Sequence, residues 1–340
     1  MLFFLYFKEV SILSLMKITL LFFSVLLTTS LFCQVVKIPD ANFRAYLLGN
    51  SNINTNGDTL IQVSEASVYD GAISCGFSNI SDLRGIEAFV SITELYCNYN
   101  ELTSLDVSQN TALTKLGCSR NQLTSLDVSQ NTALIQLTCQ VNQLTSLDVS
   151  QNTALTLLNC GKNPLTSLDV SQNTALTGLY CFMNPLTSLD VSQNTALTEL
   201  VCYYNDLTSL DVSQNSALVL LWCNHNLLTC LNVANGNNTN LYYLETYDNP
   251  NLTCIQVDDA AWSTANYITN NYLLDPQTFY SENCNYPSDC FTASVDELIT
   301  SKDLIQILDM MGRETSFKPN TPLIYVYDDG STEKVFTIEN

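Results

Sequence analysis

From Leu102 to Leu218 leucine returns to the same places again and again, with polar residues filling the gaps. The phrase LTSLDVSQNTAL begins at Leu102, Leu123, Leu144, Leu165 and Leu186 and returns as LTSLDVSQNSAL at Leu207, a period of 21 residues. Between copies stands a second phrase, LxxLxCxxN, spelled for example by Leu113, Leu116, Cys118 and Asn121. Its cysteine recurs at Cys97, Cys118, Cys139, Cys160, Cys181, Cys202 and Cys223. Leu and Cys at every second position are the pattern of a strand with one buried side. Positions between and beside them, such as Lys115, Gly117 and Ser119, are expected to point outward. One unit cannot bury its own apolar side, but units stacked at the strand spacing of about 4.8 Å make a continuous core. The asparagine that closes each phrase (Asn100, Asn121, Asn142, Asn163, Asn184, Asn205, Asn226, Asn249) turns the chain. Once buried, its amide must bond backbone groups of its own and neighbouring coils. Leu123, Leu126, Val128 and Asn131 repeat the same grammar in the other half of the unit, which predicts a second, less regular strand face. Two turns per unit leave no stretch long enough for a stable helix.

A fixed period of this length with this leucine spacing is the mark of a leucine-rich-repeat solenoid. The expected fold is mainly β: stacked parallel short strands over residues 72–258, a small helical N-terminal cap over 34–71, a C-terminal cap over 259–290 and a small β C-terminal domain over 291–340. The paired phrases LxxLxCxxN and LTSLDVSQNT resemble the cysteine-ladder subgroup of bacterial internalin-like leucine-rich repeats, over roughly residues 73 to 257. That resemblance implies a curved solenoid at a bacterial surface, used for adhesion or partner binding.

The two ends differ from the array. MKITLLFFSVLLTTSLFCQ, starting at Met16, places Lys17 before an apolar core from Ile18 to Phe32, the plan of a secretory signal peptide, with cleavage expected between Cys33 and Gln34. Met16 is then the expected true start, within a signal segment spanning residues 1–33. Cys33 as a lipidated residue fits less well, because Phe32 before it is large. No second apolar segment is long enough to span a membrane, so no transmembrane domain is expected in the mature chain. In the N-terminal cap Asp40 can cap a short helix with Phe43, Leu47 and Leu48 on one face. Next come Asn54, Asn56, Asp58, Leu60 and Glu65, spaced as ligand positions one, three, five, seven and twelve of a calcium-binding loop. Asn54 stands where Asp is usual and Thr59 where Gly is usual, so any calcium site would be weak; the alternative is a helical cap that keeps only the loop. At the C-terminus, Leu323–Tyr327 and Lys334–Ile338 alternate as two strands around Asp329-Gly330, a hairpin signal. This tail, in Met311-Gly312-Arg313-Glu314, Pro322-Leu323-Ile324-Tyr325 and the Lys334 strand, resembles the C-terminal sorting domain of type IX secretion cargo. The resemblance implies engagement with secretion machinery, transit across an outer membrane, and removal of the tail. An ordinary small β-domain is the other reading.

Composition narrows the partners. Twelve Lys and Arg stand against 33 Asp and Glu, a formal charge of −21, which repels nucleic acid and anionic lipid. Thirteen cysteines in an exported chain ordinarily signal disulfides. The ladder members instead hold an inward position suited to a small hydrophobe, and a line of stacked thiols lacks the clustering zinc requires. Cys230, Cys254, Cys284 and Cys290 are the disulfide candidates, with three pairings open; the resemblance to similar repeat proteins favours Cys254 with Cys284. Their expected role is to staple the end of the core.

The phrase LTSLDVSQNTAL hardly changes, so variation falls on the outward residues of the other strand, and the later coils there are rich in aromatics. Tyr180, Phe182, Tyr203, Trp222, Tyr243 and Tyr247 are the candidate ligand-binding residues, since aromatics bring contact area with few rotamers to freeze. Aromatic rows also form simply because they pack well on sheets. The column Asp106, Asp127, Asp148, Asp169, Asp190 and Asp211 reads either as a cation stripe or as carboxylates bonded locally. His225, the one histidine, reads as an exposed turn residue, and no nucleophile elbow, phosphate loop or histidine cluster accompanies it. No enzyme is expected. The function expected is binding of a protein or glycan partner by a secreted or cell-surface protein; the alternative is a passive spacer.

Overall fold

The computed structural model describes residues 34–267, 274–287, 290–291, 304–309, 313, 323–327 and 332–335. The expected signal segment 1–33 lies outside these residues, as do Met311, Gly312, Glu314, Pro322 and the Asp329-Gly330 turn. The chain divides into two compact units, Met1–Phe291 and Thr292–Asn340.

The first unit opens with helix α1 (Ala41–Gly49), started by Asp40, whose Oδ1 accepts from Asn42 N and Phe43 N at 2.9 Å each. Phe43 and Leu47, one turn apart, are the buried face. A one-turn helix α2 (Val63–Ala66) follows, with Gln62 and Glu65 forming a reciprocal capping box. Parallel strands then come one per coil: β1 (Ala72–Ser74), β2 (Glu94–Tyr96), β3 (Lys115–Gly117), β4 (Gln136–Thr138), β5 (Leu157–Asn159), β6 (Gly178–Tyr180) and β7 (Glu199–Val201). From there two faces carry strands in alternation: β8 (Ser209–Asp211), β9 (Leu220–Trp222), β10 (Cys230–Asn232), β11 (Tyr243–Glu245), β12 (Cys254–Gln256), helix α3 (Ala260–Tyr267) and β13 (Phe279–Ser281). One sheet runs β1-β2-β3-β4-β5-β6-β7-β9-β11, the other β13-β12-β10-β8. Registers step by whole coils, as in Lys115 beside Gln136 and Leu116 beside Leu137. The second face is regular only in the last coils; in the earlier ones Leu126 or Leu147 is still buried there without strand assignment.

Between the sheets the core is one stack. Leu134, Leu137, Cys139, Leu144 and Val149 of one coil are fully buried, and the coils above and below repeat this set. Each such leucine contributes about 1.5–3 kcal/mol on leaving water. The turns are held by two asparagine ladders. Asn121 Nδ2 donates to Cys97 O (3.0 Å) and Cys118 O (2.9 Å) while its Oδ1 accepts from Leu102 N (3.1 Å), so one amide joins adjacent coils. On the far side Asn131 ties the coils through its Nδ2 alone, donating to Val107 O (3.0 Å) and Asn110 O (2.9 Å) while its Oδ1 is buried without a partner.

Both ends of the stack are closed. Asp40 Oδ2 accepts from Ser81 N and Oγ, Asn42 donates to Asn79 O, and Tyr46 OH accepts from Ser74 N, fastening α1 over the first coil. At the other end Asp275 accepts from Asp248 N and Asn249 N, and the Tyr286 hydroxyl bonds Leu231 and Cys254. Cys254 is bonded to Cys284 and Cys230 to Cys290, with Cα separations of 5.7 and 6.1 Å. In the second unit β14 (Leu304–Asp309), β15 (Leu323–Tyr327) and β16 (Thr332–Val335) pair antiparallel. The second hairpin strand thus starts at Thr332, two residues before the Lys334 expected, because Val326 pairs with Thr332.

Candidate functional site

Beside the column of Lys115 and Tyr243 that opens each strand, the strand face of β1 to β11 carries three columns of outward residues, one just before the cysteine, one just after it and one at the turn. Tyr96, Tyr180 and Trp222 belong to the first column, Phe182, Tyr203 and Tyr247 to the second. Not every outward position reaches solvent. Gly117 and Ser119, expected outside, are buried, and so are Gly161, Gly178, Val201 and Asn224. A Cβ on Gly117 would meet Asn98 and Tyr96 side-chain atoms at 2.9 Å, and one on Gly161 would meet the Phe182 ring at 2.6 Å. Small residues on one rung therefore make room for large side chains from the next, which lie flat along the stack and cover them.

The structure brings four of the six expected aromatics together. Phe182 and Tyr203 stack with centroids 5.0 Å apart, and Tyr203 meets Trp222 at 6.5 Å, so three consecutive rungs share one row. Tyr247 joins through His225, whose ring lies 5.1 Å from it. Tyr180 stands aside with its hydroxyl donating to the Glu199 carboxylate; burial and then that bond push the phenol up to about 12, so it stays a donor. Tyr243 is 61% exposed beside Tyr242, and no ring contact ties either to the row. Burial also raises Glu245 above the usual carboxylate range and Tyr203 above the usual phenol range.

The turn column is a component that residue-type reasoning missed. Phe77, Tyr99, Arg120, Val141, Lys162, Met183, Tyr204, His225 and Asp248 all have φ between +53° and +58°. Left-handed backbone is uncommon for residues other than glycine and is an outlier for a β-branched one such as Val141. It is held because each N–H from Phe77 to His225 reaches the next coil, as Arg120 N does to Gln140 O at 2.9 Å, and that of Asp248 reaches Asp275 Oδ1 at 3.0 Å, while from Tyr99 onward the following asparagine is turned inward. One signal was present, since all of these residues except Phe77, which Ser78 follows, sit just before a ladder asparagine. Along the column Phe77 stacks on Tyr99 at 4.0 Å with Arg120 over the Tyr99 ring at 4.9 Å, and Tyr204 stacks on His225 at 3.9 Å. His225 is thus a correction to the expected exposed turn residue: its side chain is 24% exposed, lies between two tyrosines and has Nδ1 2.9 Å from Asp248 Oδ2. Tyr204, 5.8 Å from Tyr203, links the turn column to the strand row, and Met183 adds exposed apolar surface beside them.

No protein-family signature matches the chain. Over 73 residues it is 44% identical to Internalin J of Listeria monocytogenes serotype 4b (strain F2365), a stretch making up 22% of this chain and 8% of that protein. The solved functional domain of InlJ from Listeria monocytogenes, which includes a cysteine ladder, superposes with a TM-score of 0.53 at 36% identity, covering 67% of this chain and 58% of that one. The array is an internalin-like leucine-rich-repeat solenoid. Internalin C2 of the same strain, at 18% identity, a TM-score of 0.52 and coverage of 67% of this chain and 95% of that one, shares the fold. The chain spans less than two thirds of the length of Internalin J and of the solved InlJ domain.

The ladder of this internalin-like solenoid has one more rung than its period announces. Cys75 joins Cys97, Cys118, Cys139, Cys160, Cys181, Cys202 and Cys223, all buried free thiols, and burial raises their pKa, to about 12 for Cys160. Among the described residues no group of three or more His, Cys, Asp or Glu is arranged to hold a metal ion. In the aspartate column the carboxylates turn onto their own backbone: Asp106 Oδ1 accepts from Ser108 N at 2.9 Å, and Asp127, Asp148, Asp169, Asp190 and Asp211 repeat the bond. The cap residues Asn54, Asn56, Asp58, Leu60 and Glu65 do fall on one loop. Glu65 Oε1 accepts from Thr55 N and Asn56 N and its Oε2 from Gln62 N, so the last residue of the set reaches back to the first ones. Among the described residues no helix is long and apolar enough to cross a membrane.

Proposed function

We propose that this protein is an exported recognition module which binds a protein or glycan partner through the row Phe182, Tyr203 and Trp222, extended by Tyr204, His225 and Tyr247. The observation that carries the reading is the confinement of the rings to the one face where coils differ, next to a face repeated almost letter for letter. Contiguous aromatic surface of this kind is where interface energy concentrates, because ring burial gains area at small entropic cost. Tyr180, held by Glu199, and the exposed Tyr243 flank the row on this reading. Similarity to internalins supports a surface location and protein recognition. The signal-like start and the sorting-like tail support export, with the type IX machinery as the route. Catalysis has no part in the proposal: His225 is fixed by two rings and one carboxylate.

The test is the double variant Tyr203→Ser and Trp222→Ser, compared with the parent on glycan arrays, on panels of surface proteins and in cell attachment, with circular dichroism as the fold control. Losing two central anchors lowers affinity by about thirtyfold each. Equal attachment by variant and parent would reject the row as the site. The near identity of the LTSLDVSQNTAL copies favours a second reading, a spacer that supplies length. A spacer binds nothing on these panels.

A further inference from the structure

We propose that the partner of the aromatic row is a protein segment bearing arginine or lysine, whose cationic side chain lies over the Tyr203 and Trp222 rings and is paired by the Glu245 carboxylate. This rests on the row being the binding site. The first observation is the distribution of charge. From Asn163 to Ser301 the sequence has no Lys or Arg and fourteen Asp and Glu. The cations of the strand and turn columns, Lys115, Arg120 and Lys162, all stand on earlier coils, whereas Glu199, Glu245 and Asp248 stand on the coils that carry the rings. A surface with one sign of charge gathers partners of the other sign and turns away its own. The second observation is Glu245. It is the outward residue of β11 in register with Trp222 on β9, and Tyr247 follows two positions on. Glu199 spends its carboxylate on the Tyr180 hydroxyl and Asp248 on His225. The Glu245 carboxylate is half-buried and has no hydrogen bond or ion pair among the described residues; burial, with no partner to offset it, raises its pKa. A cation beside it relieves that cost.

The molecule shows within itself how such a ring receives a cation. On the early coils Tyr99 has Arg120 over its ring at 4.9 Å. Among the described residues no Lys or Arg lies over Phe182, Tyr203 or Trp222, so a cation on those rings has to come from a partner. Adjacent strands lie about 4.8 Å apart, so a group held within the ~6 Å of the Trp222 ring that cation–π attraction requires is also within bonding reach of the Glu245 carboxylate. Arginine suits this arrangement best. Its planar guanidinium stacks on a ring face and keeps N–H donors along its edge for a carboxylate. Lysine meets the same charge with a single compact group. An acidic glycan or acidic protein would bring its charge against Glu245, Glu199 and Asp248 with no cation on these coils to receive it.

The experiment uses the full chain and dye-labelled Gly-Ser peptides that carry arginine, citrulline or glutamate at the same positions, followed by fluorescence anisotropy. Citrulline keeps the shape of arginine and lacks its charge. The arginine peptide should bind, the citrulline peptide about tenfold more weakly, and the glutamate peptide not at all. Raising NaCl from about 50 to about 500 mM should weaken arginine binding severalfold. Glu245→Gln should lower affinity for the arginine peptide about tenfold, with circular dichroism unchanged because the substitution breaks no bond. A chain of charge −21 also attracts cationic peptides loosely. That alternative predicts that Asp127→Asn with Asp148→Asn, which removes two charges from the far face, weakens binding at least as much as Glu245→Gln; the proposal predicts no change. Equal binding of the arginine and citrulline peptides, or a far-face effect as large as that of Glu245→Gln, overturns it. A partner from the surface panels that is lost with Tyr203→Ser and Trp222→Ser but holds Glu245→Gln as tightly as the parent keeps the row as the site and overturns the cation. If nothing bound depends on the row, both readings fall.

Discussion

Thiol labelling tests the stacked core directly. Cys160 is fully buried, and desolvation pushes its pKa from the ordinary 9.0 to about 12. At pH 8 a thiol at 9.0 is ionised to about one part in ten, and one at 12 to about one part in ten thousand, a thousandfold loss of the reactive thiolate before any steric barrier is counted. The other seven ladder thiols are shifted the same way by the same cause. The perturbation is Cys33→Ser, which removes the one cysteine outside ladder and disulfides, and the assay is reaction with an aromatic disulfide reagent at pH 8, with and without guanidinium. Eight thiols should react at once in denaturant and none at the free-thiol rate in its absence. A ladder cysteine reacting within tenfold of a free thiol in the native protein, or a disulfide between rungs detected by mass spectrometry, would refute the packing described.

The asparagine ladder and the aspartate column give two more expectations. Asn163→Ala strips partners from Cys139 O, Cys160 O and Leu144 N at once, and should cost about 3 kcal/mol in urea unfolding; a loss under about 1 kcal/mol would show that water replaces the amide. Asp106, Asp127 and Asp148 are held below the ordinary 3.8 chiefly by the N–H of Ser108, Ser129 and Ser150. Folded pKa values that are depressed stabilise above the unfolded pKa and lose that contribution as pH falls through them. The melting temperature should therefore drop below about pH 4, and the triple Asp→Asn variant should show a flatter fall; identical profiles from pH 6 to 2 would contradict this.

The sequence made the fold legible where a physical constraint repeats without change. Inward Leu and Cys and the turn asparagine are dictated by burial and backbone satisfaction, so a period of 21 and an asparagine in register led to the coils and the ladder. Cys75 escaped because the first coil has 22 residues, which breaks the arithmetic while leaving the packing intact. Exposure of the outward positions was less legible, since it depends on what the neighbouring rung holds: Gly117 and Gly161 are covered because Asn98, Tyr96 and Phe182 fall across them. The left-handed turn column was hidden for another reason. Its residue types, Phe, Tyr, Val, Met and Lys among them, do not favour positive φ, and the stacking geometry imposes it against their preference.

Comparing rungs within the molecule separates the two readings of the aromatic row. The coil with Gln136, Thr138 and Gln140 on its outer face has Leu134, Leu137, Cys139 and Leu144 fully buried. The coil with Tyr203 and Tyr204 has Leu197, Leu200, Cys202 and Leu207 equally buried, and Asn142 to Cys139 O and Asn205 to Cys202 O are both 2.9 Å, with Asn142 half-buried and Asn205 buried. The apolar core of a coil without rings is thus as complete as that of one with them. Whatever stacking adds, about 0.5–1.5 kcal/mol per ring pair, comes on top of a core that already closes. Rings that the core does not require, gathered over neighbouring rungs and open to solvent along one edge, leave a partner as the better account of their presence.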